Sequence, residues 1–161
     1  MGNLIKVGIG EFKICKAPDT IATIGLGSCV GVVLYDADKK IAGLVHIMLP
    51  DSTKINDKTK LAKFADTGVA LLVEELYKLG IRREHLKAKI AGGAKMFSFS
   101  GNTSFGNVGE KNILAVKTML NKYDIPILAE DIGLNYGRTI VFNPDNCKLL
   151  VKSAGNTTIY L

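Results

Sequence analysis

Apolar positions along this chain keep a period near two for its first third, switch to helical spacing twice, and return to strand-like runs at the end. Phe12 and Ile14 alternate with polar neighbours, and short β-rich runs follow at residues 21–26, 30–35 and 41–49. In the last run Ala42, Leu44 and Met48 point one way, while Ile41, Val45, Ile47 and Leu49 point the other. Both faces are apolar, which predicts a strand lying between two layers. Leu61, Phe64, Ala65, Val69, Leu72, Val73 and Leu76 then recur at helical spacing, with Gly80 a fitting stop. A buried strand is predicted at 89–91, running into Gly92-Gly93, and residues 97–107 read as loop. A second helix over 110–122 presents Ile113, Val116, Met119 and Leu120. Strands are predicted at 127–129, 139–142, 149–152 and 158–160, with Asn143-Pro144-Asp145-Asn146 as a turn. Strands grouped around two separated helices predict an α+β sandwich in place of a regularly alternating parallel sheet. No repeat or linker divides the chain, so residues 1–161 are expected to form a single domain.

Composition narrows the function classes. No apolar run approaches the ~20 residues of a membrane helix, and residues 1–6 lack the pattern of a signal peptide, so a cytoplasmic protein without membrane insertion is expected. The net charge of +6 comes from scattered Lys and Arg. It fits a solvated surface, or steering toward an acidic protein partner, better than nucleic acid, because no basic stripe is interleaved with stacking aromatics. The cysteines are Cys15, Cys29 and Cys147, and no CxxC spacing occurs. That argues against a disulfide framework and against a zinc site.

The densest chemical signal is Thr23-Ile24-Gly25-Leu26-Gly27-Ser28-Cys29, followed by a strand bearing His46. A thiol becomes a strong nucleophile only as thiolate, so it needs a neighbouring base, cation or set of amide dipoles. Gly25 and Gly27, with Ser28, form a turn whose backbone N–H groups can converge on one point, as a developing oxyanion requires; the N–H of Cys29 is the candidate donor. The stretch is neither a dinucleotide fingerprint, having Val30 where the third glycine belongs, nor a P-loop. Folding the chain back about position 38 puts residue 46 opposite residue 30, so Cys29 and His46 are expected to be neighbours. From the residues alone two readings stand side by side: a nucleophile and its base, or a small core thiol and a satisfied core imidazole. Cys15 and Cys147 read as structural, and His85, in Arg82-Arg83-Glu84-His85, reads as a surface residue.

The blocks Gly25-Leu26-Gly27-Ser28-Cys29-Val30 and Ala42-Gly43-Leu44-Val45-His46-Ile47-Met48-Leu49-Pro50-Asp51-Ser52 resemble the CheD family. So do Lys89-Ile90-Ala91-Gly92-Gly93-Ala94-Lys95-Met96-Phe97, Val108-Gly109-Glu110-Lys111-Asn112, and Ala129-Glu130-Asp131-Ile132-Gly133 with Arg138. The resemblance implies deamidation of glutamines on methyl-accepting chemotaxis receptors, with Cys29 as nucleophile and His46 as base, a thiol chemistry that requires no metal or organic cofactor. It implies an α+β fold, a layered α/β/β sandwich with mixed sheets, similar to the catalytic domain of cytotoxic necrotizing factor. The family's third catalytic residue, a threonine upstream of the cysteine, falls on Thr23, and the implied regulator is the phosphatase CheC. Receptor methylesterase activity, or non-catalytic binding of CheC, are the alternatives. Asp51 is a tempting substitute for the threonine, while Glu130 and Asp131 are expected in surface or turn roles. Phe97, Phe99 and Phe105 are either anchors of their own loop or a partner-binding edge.

Overall fold

The computed structural model describes residues 2–55, 59–96 and 107–161, and it is layered as helices, sheet, sheet. In chain order the elements are β1 (Leu4–Val7), β2 (Phe12–Lys16), β3 (Thr20–Leu26), β4 (Val30–Asp36), β5 (Ile41–Ile47), α1 (Ala65–Lys78), β6 (Lys87–Gly92) and α2 (Val108–Lys122). They continue with β7 (Ile127–Ile132), β8 (Arg138–Asn143), β9 (Lys148–Ser153) and β10 (Thr157–Tyr160). One sheet has the order β1-β3-β8-β9-β10 and the other β2-β5-β4-β6-β7. Both sheets are mixed, since β1 runs parallel to β3 and β6 parallel to β7.

The two periodicities of β4 and β5 build two cores. Val30, Val32, Leu34, Val45 and Ile47 face the helices, packing against Val69, Leu72, Val73, Leu76, Val116 and Leu120. Val33, Tyr35, Ala42 and Leu44 face the other sheet, against Ile21, Leu26, Ile140, Phe142 and Val151. The expectation that residues 41–49 lie between two layers therefore holds over β5.

Three details depart from the sequence reading. The helix expected to begin near Leu61 begins at Ala65: Leu61–Lys63 is a 3-10 turn, and Phe64 is extended. The cause is pairing, since the N–H groups of Met48 and Leu49 both donate to the Lys63 carbonyl and that of Ala65 to the Leu49 carbonyl. β1 was not foreseen in four residues that mix charge with aliphatics. The hairpin register also differs by one, because Asp36 pairs Ile41 across a four-residue loop and Gly31 pairs His46. Asp36 Oδ1 sets that loop by accepting the N–H groups of Asp38 and Lys39, and Lys40 takes the left-handed backbone, φ 55°.

A candidate active site between the sheets

The one-residue register difference decides which side chains meet. Pairing of 46 with 30 would have put His46 on the face opposite to Cys29. Pairing with Gly31 puts His46 on the inner face, and Cys29, two residues before Gly31, lies on the same side of the pleat. Cys29 is half-buried and packs against the inter-sheet core. Gly31 is what leaves room there. A Cβ on it would lie 2.7 Å from Ile140 Cδ1, 3.1 Å from Leu26 Cδ1 and 3.6 Å from Thr23 Cγ2.

His46 is held from both sides. Its backbone N–H donates to the Glu11 carbonyl and its carbonyl accepts from Gly10 N–H, both at 3.1 Å. Its side chain is wholly buried, and Nδ1 lies 2.7 Å from Thr23 Oγ1. Thr23 sits on the facing sheet, and its hydroxyl is also 2.7 Å from the Val7 carbonyl. A carbonyl only accepts, and the hydroxyl has one proton, so that proton goes to Val7. Thr23 then presents a lone pair to the ring, Nδ1 carries the imidazole proton, and Nε2 is left as a bare acceptor. Nε2 is buried without a hydrogen-bond partner among the described residues. Burial pulls the His46 pKa from 6.5 down to about 4 and pushes the Cys29 thiol up. At neutral pH the pair is therefore thiol and imidazole, both uncharged.

The turn between β3 and β4 is tied down by its carbonyls. Gly27 O accepts from Ala94 N–H and Cys29 O from Gly93 N–H, each at 2.8 Å. Ser28 O accepts from Asn112 Nδ2 at 2.9 Å, and the same amide donates to Met48 O at 3.0 Å. No acceptor among the described residues meets the N–H of Ser28 or Cys29. Those are the donors a substrate oxygen would need. Gly25 lies outside the turn, in a bulge of β3 where Thr23 pairs Ile140 but Leu26 pairs Arg138; φ of +76° explains the glycine. Beside the bulge, buried Arg138 donates to Asp131 Oδ2 at 3.0 Å, joining β8 to β7 across the sandwich.

The remaining described residues singled out in the sequence lie away from His46. Asp51 caps the turn at 52–54 by accepting from Thr53, so it does not orient His46. Glu130 has the expected surface role, exposed in β7 and pairing Lys117 at 3.1 Å, whereas Asp131 in the same strand is half-buried and holds Arg138 across the sandwich. Cys15 is buried with its thiol raised to about 11 by burial first and Asp19 second, a poor nucleophile. Phe97, Phe99 and Phe105 lie outside the described residues. Sequence reasoning did not foresee Val7, Gly10, Glu11, Gly31 or the anchoring role of Asn112. Asn112 alone left a signal, a polar residue in the stripe with Val116 and Leu120 on α2.

Fold and site together define a class: an α+β sandwich that holds a thiol, an imidazole and a hydroxyl between its sheets. A family model for CheD chemotactic sensory transduction matches residues 48–153. The chain is 59% identical over 155 residues to a protein of Lachnoclostridium phytofermentans, covering 96% of each. It is 51% identical over 158 residues to one of Caldanaerobacter subterraneus, covering 98% of each. With one of Clostridium botulinum it shares 51% over 151 residues, 94% of this chain and 93% of that one. Each of these relatives carries the name "Probable chemoreceptor glutamine deamidase CheD". The chain belongs to the CheD family. The family match begins after Cys29 and His46, whereas the relatives align across nearly the whole chain.

Proposed function

We propose that this protein hydrolyses glutamine side chains of chemoreceptors to glutamate, with Cys29 as nucleophile, His46 as general base and Thr23 as the residue that positions the base. The carrying observation is the chain Val7 carbonyl, Thr23 hydroxyl, His46 Nδ1. It leaves Nε2 proton-free and unpartnered, and the pairing of His46 with Gly31 supports a side chain on the same inner face as Cys29. The relatives' name supplies the substrate.

With both groups neutral at rest, proton transfer accompanies attack. The Cys29 proton passes to His46 Nε2 as sulfur bonds to the glutamine Cδ, and the carbonyl oxygen becomes an oxyanion facing the N–H of Cys29. The imidazolium returns its proton to the departing nitrogen, releasing ammonia and a thioester. Water, deprotonated by His46, cleaves that thioester to glutamate and free thiol. As the imidazolium forms, the Nδ1–H bond to Thr23 becomes charge-assisted, so it strengthens when it is needed. The same cycle accepts a methyl ester, releasing methanol, and this is the second reading of the site. The proposal extends, on the family resemblance, to a cytoplasmic setting, to a fold similar to the cytotoxic necrotizing factor domain, and to CheC as regulator.

Intact-mass measurement of receptor fragments incubated with the protein tests the reading. Wild type should add about one dalton per modified glutamine, the change from amide to acid, and Cys29→Ala none. Methanol release in place of ammonia would shift the assignment to the esterase. A biological effect that survives Cys29→Ala would leave only the binding role.

A further inference from the structure

The far end of β4 carries a second constellation. Asp36, the last residue of that strand, is 1% exposed, yet its two oxygens are treated unequally. Oδ1 accepts the N–H groups of Asp38 and Lys39 at 2.9 and 3.1 Å. Oδ2 is buried and has no hydrogen-bond partner among the described residues. A bare, buried carboxylate oxygen is strongly unfavourable unless something charged completes it. Asp36 is one of the residues lining a cavity of about 270 Å³, with Ala37, Asp38, Glu84, His85 and Lys87. His85 Nδ1 lies 3.7 Å from Oδ2, within ion-pair distance for a protonated ring but too far for a hydrogen bond. One ligand atom from each of Asp36, Asp38 and His85 lies within 4.8 Å of the others.

We propose that Asp36, Asp38 and His85 form a binding site for one divalent transition-metal ion, with zinc the best match. An ion bonded at about 2.0–2.2 Å to nitrogen and oxygen in a tetrahedron separates its ligands by about 3.4 Å, which the distance from Oδ2 to Nδ1 approaches. One imidazole with two carboxylates suits zinc and its neighbours, not calcium or magnesium, which prefer all-oxygen shells. The N–H groups on Oδ1 act as the outer shell, fixing the carboxylate so that Oδ2 points at the ion. Lys87 opposes a cation here, and the Glu84 carboxylate that also lines the cavity is already shared with Arg82 and Arg83 at 3.9 Å, so the charge that holds the ion comes from Asp36 and Asp38. Six steps of β4, about 20 Å, separate Asp36 from the turn bearing Cys29. The ion would therefore clamp the hairpin loop to the segment entering β6 and take no part in chemistry at the thiol.

Calorimetric titration of zinc chloride into chelator-stripped protein tests this. Wild type and Cys29→Ala should each bind one zinc ion per chain. His85→Gln and Asp38→Asn, both at exposed positions and so harmless to folding, should each weaken that binding at least about tenfold. Absence of binding in wild type would overturn the site. So would binding that His85→Gln and Asp38→Asn leave unchanged, or binding lost in Cys29→Ala, which would put the ion at the thiol.

Discussion

Replacing Thr23 by valine keeps the shape of the side chain and removes only the oxygen shared by Val7 and His46. Two buried groups lose their partner, the Val7 carbonyl and the His46 Nδ1–H, each at 2.7 Å in the intact protein. In the resting enzyme the ring is neutral, so the missing bond costs about 0.5–1.5 kcal/mol there. During reaction the ring is an imidazolium, and a hydrogen bond to a charged group is worth about 1.5–3 kcal/mol. Only the difference between the two states, about 1–1.5 kcal/mol, raises the barrier, which at 1.36 kcal/mol per decade predicts a fall in kcat of about 5- to 13-fold. KM should hardly move, because Thr23 is 1% exposed and lies behind the imidazole, out of reach of substrate. The assay is single-turnover deamidation of a receptor fragment read by mass, with circular dichroism to show that Thr23→Val is folded at the working temperature. Thr23→Ser should recover most of the rate, since it restores the oxygen and loses only the methyl. A folded Thr23→Val protein within about twofold of wild-type kcat would refute the positioning role. Equal slowing by serine and valine would assign the effect to packing of the methyl instead.

Three further outcomes can be checked by urea unfolding. The folded pKa of His46, about 4, lies below its ordinary 6.5. As pH falls the unfolded chain therefore takes up the proton first, so this group's contribution is full above pH 6.5 and disappears toward pH 4. Its full size is about 3 kcal/mol, and His46→Gln should flatten that part of the profile. Gly31→Ala forces a methyl to 2.7 Å from Ile140 Cδ1 and should cost about 1–3 kcal/mol; an unchanged midpoint would mean that the sheets part freely there. Asn112→Asp puts an acceptor-only carboxylate against the Ser28 and Met48 carbonyls in a fully buried position. It should destabilise by more than about 3 kcal/mol and slow deamidation through the loosened turn, whereas wild-type stability would remove the anchor from the account.

What was legible in the sequence was whatever local period controls. The alternation in residues 41–49 announced two buried faces, and β5 does separate the two cores. The glycine turn before Cys29 and the strand bearing His46 were visible as adjacent features for the same reason. Whether they share a face was not local. It depended on a single residue of hairpin register, set by an Asp36 carboxylate that gathers two loop N–H groups. The orienting hydroxyl was further out of sight, because it reaches His46 from the other sheet, 23 residues away in sequence. The Val7 carbonyl that dictates its proton carries no side-chain signature at all. Only the resemblance pointed to Thr23, and only the packing of one sheet on the other gives it work to do. An isolated His46 in this strand would have been a core imidazole with an arbitrary tautomer. Placed against a hydroxyl whose own proton is already committed, the same side chain has one protonation pattern, with Nδ1 carrying the proton and Nε2 free to accept one.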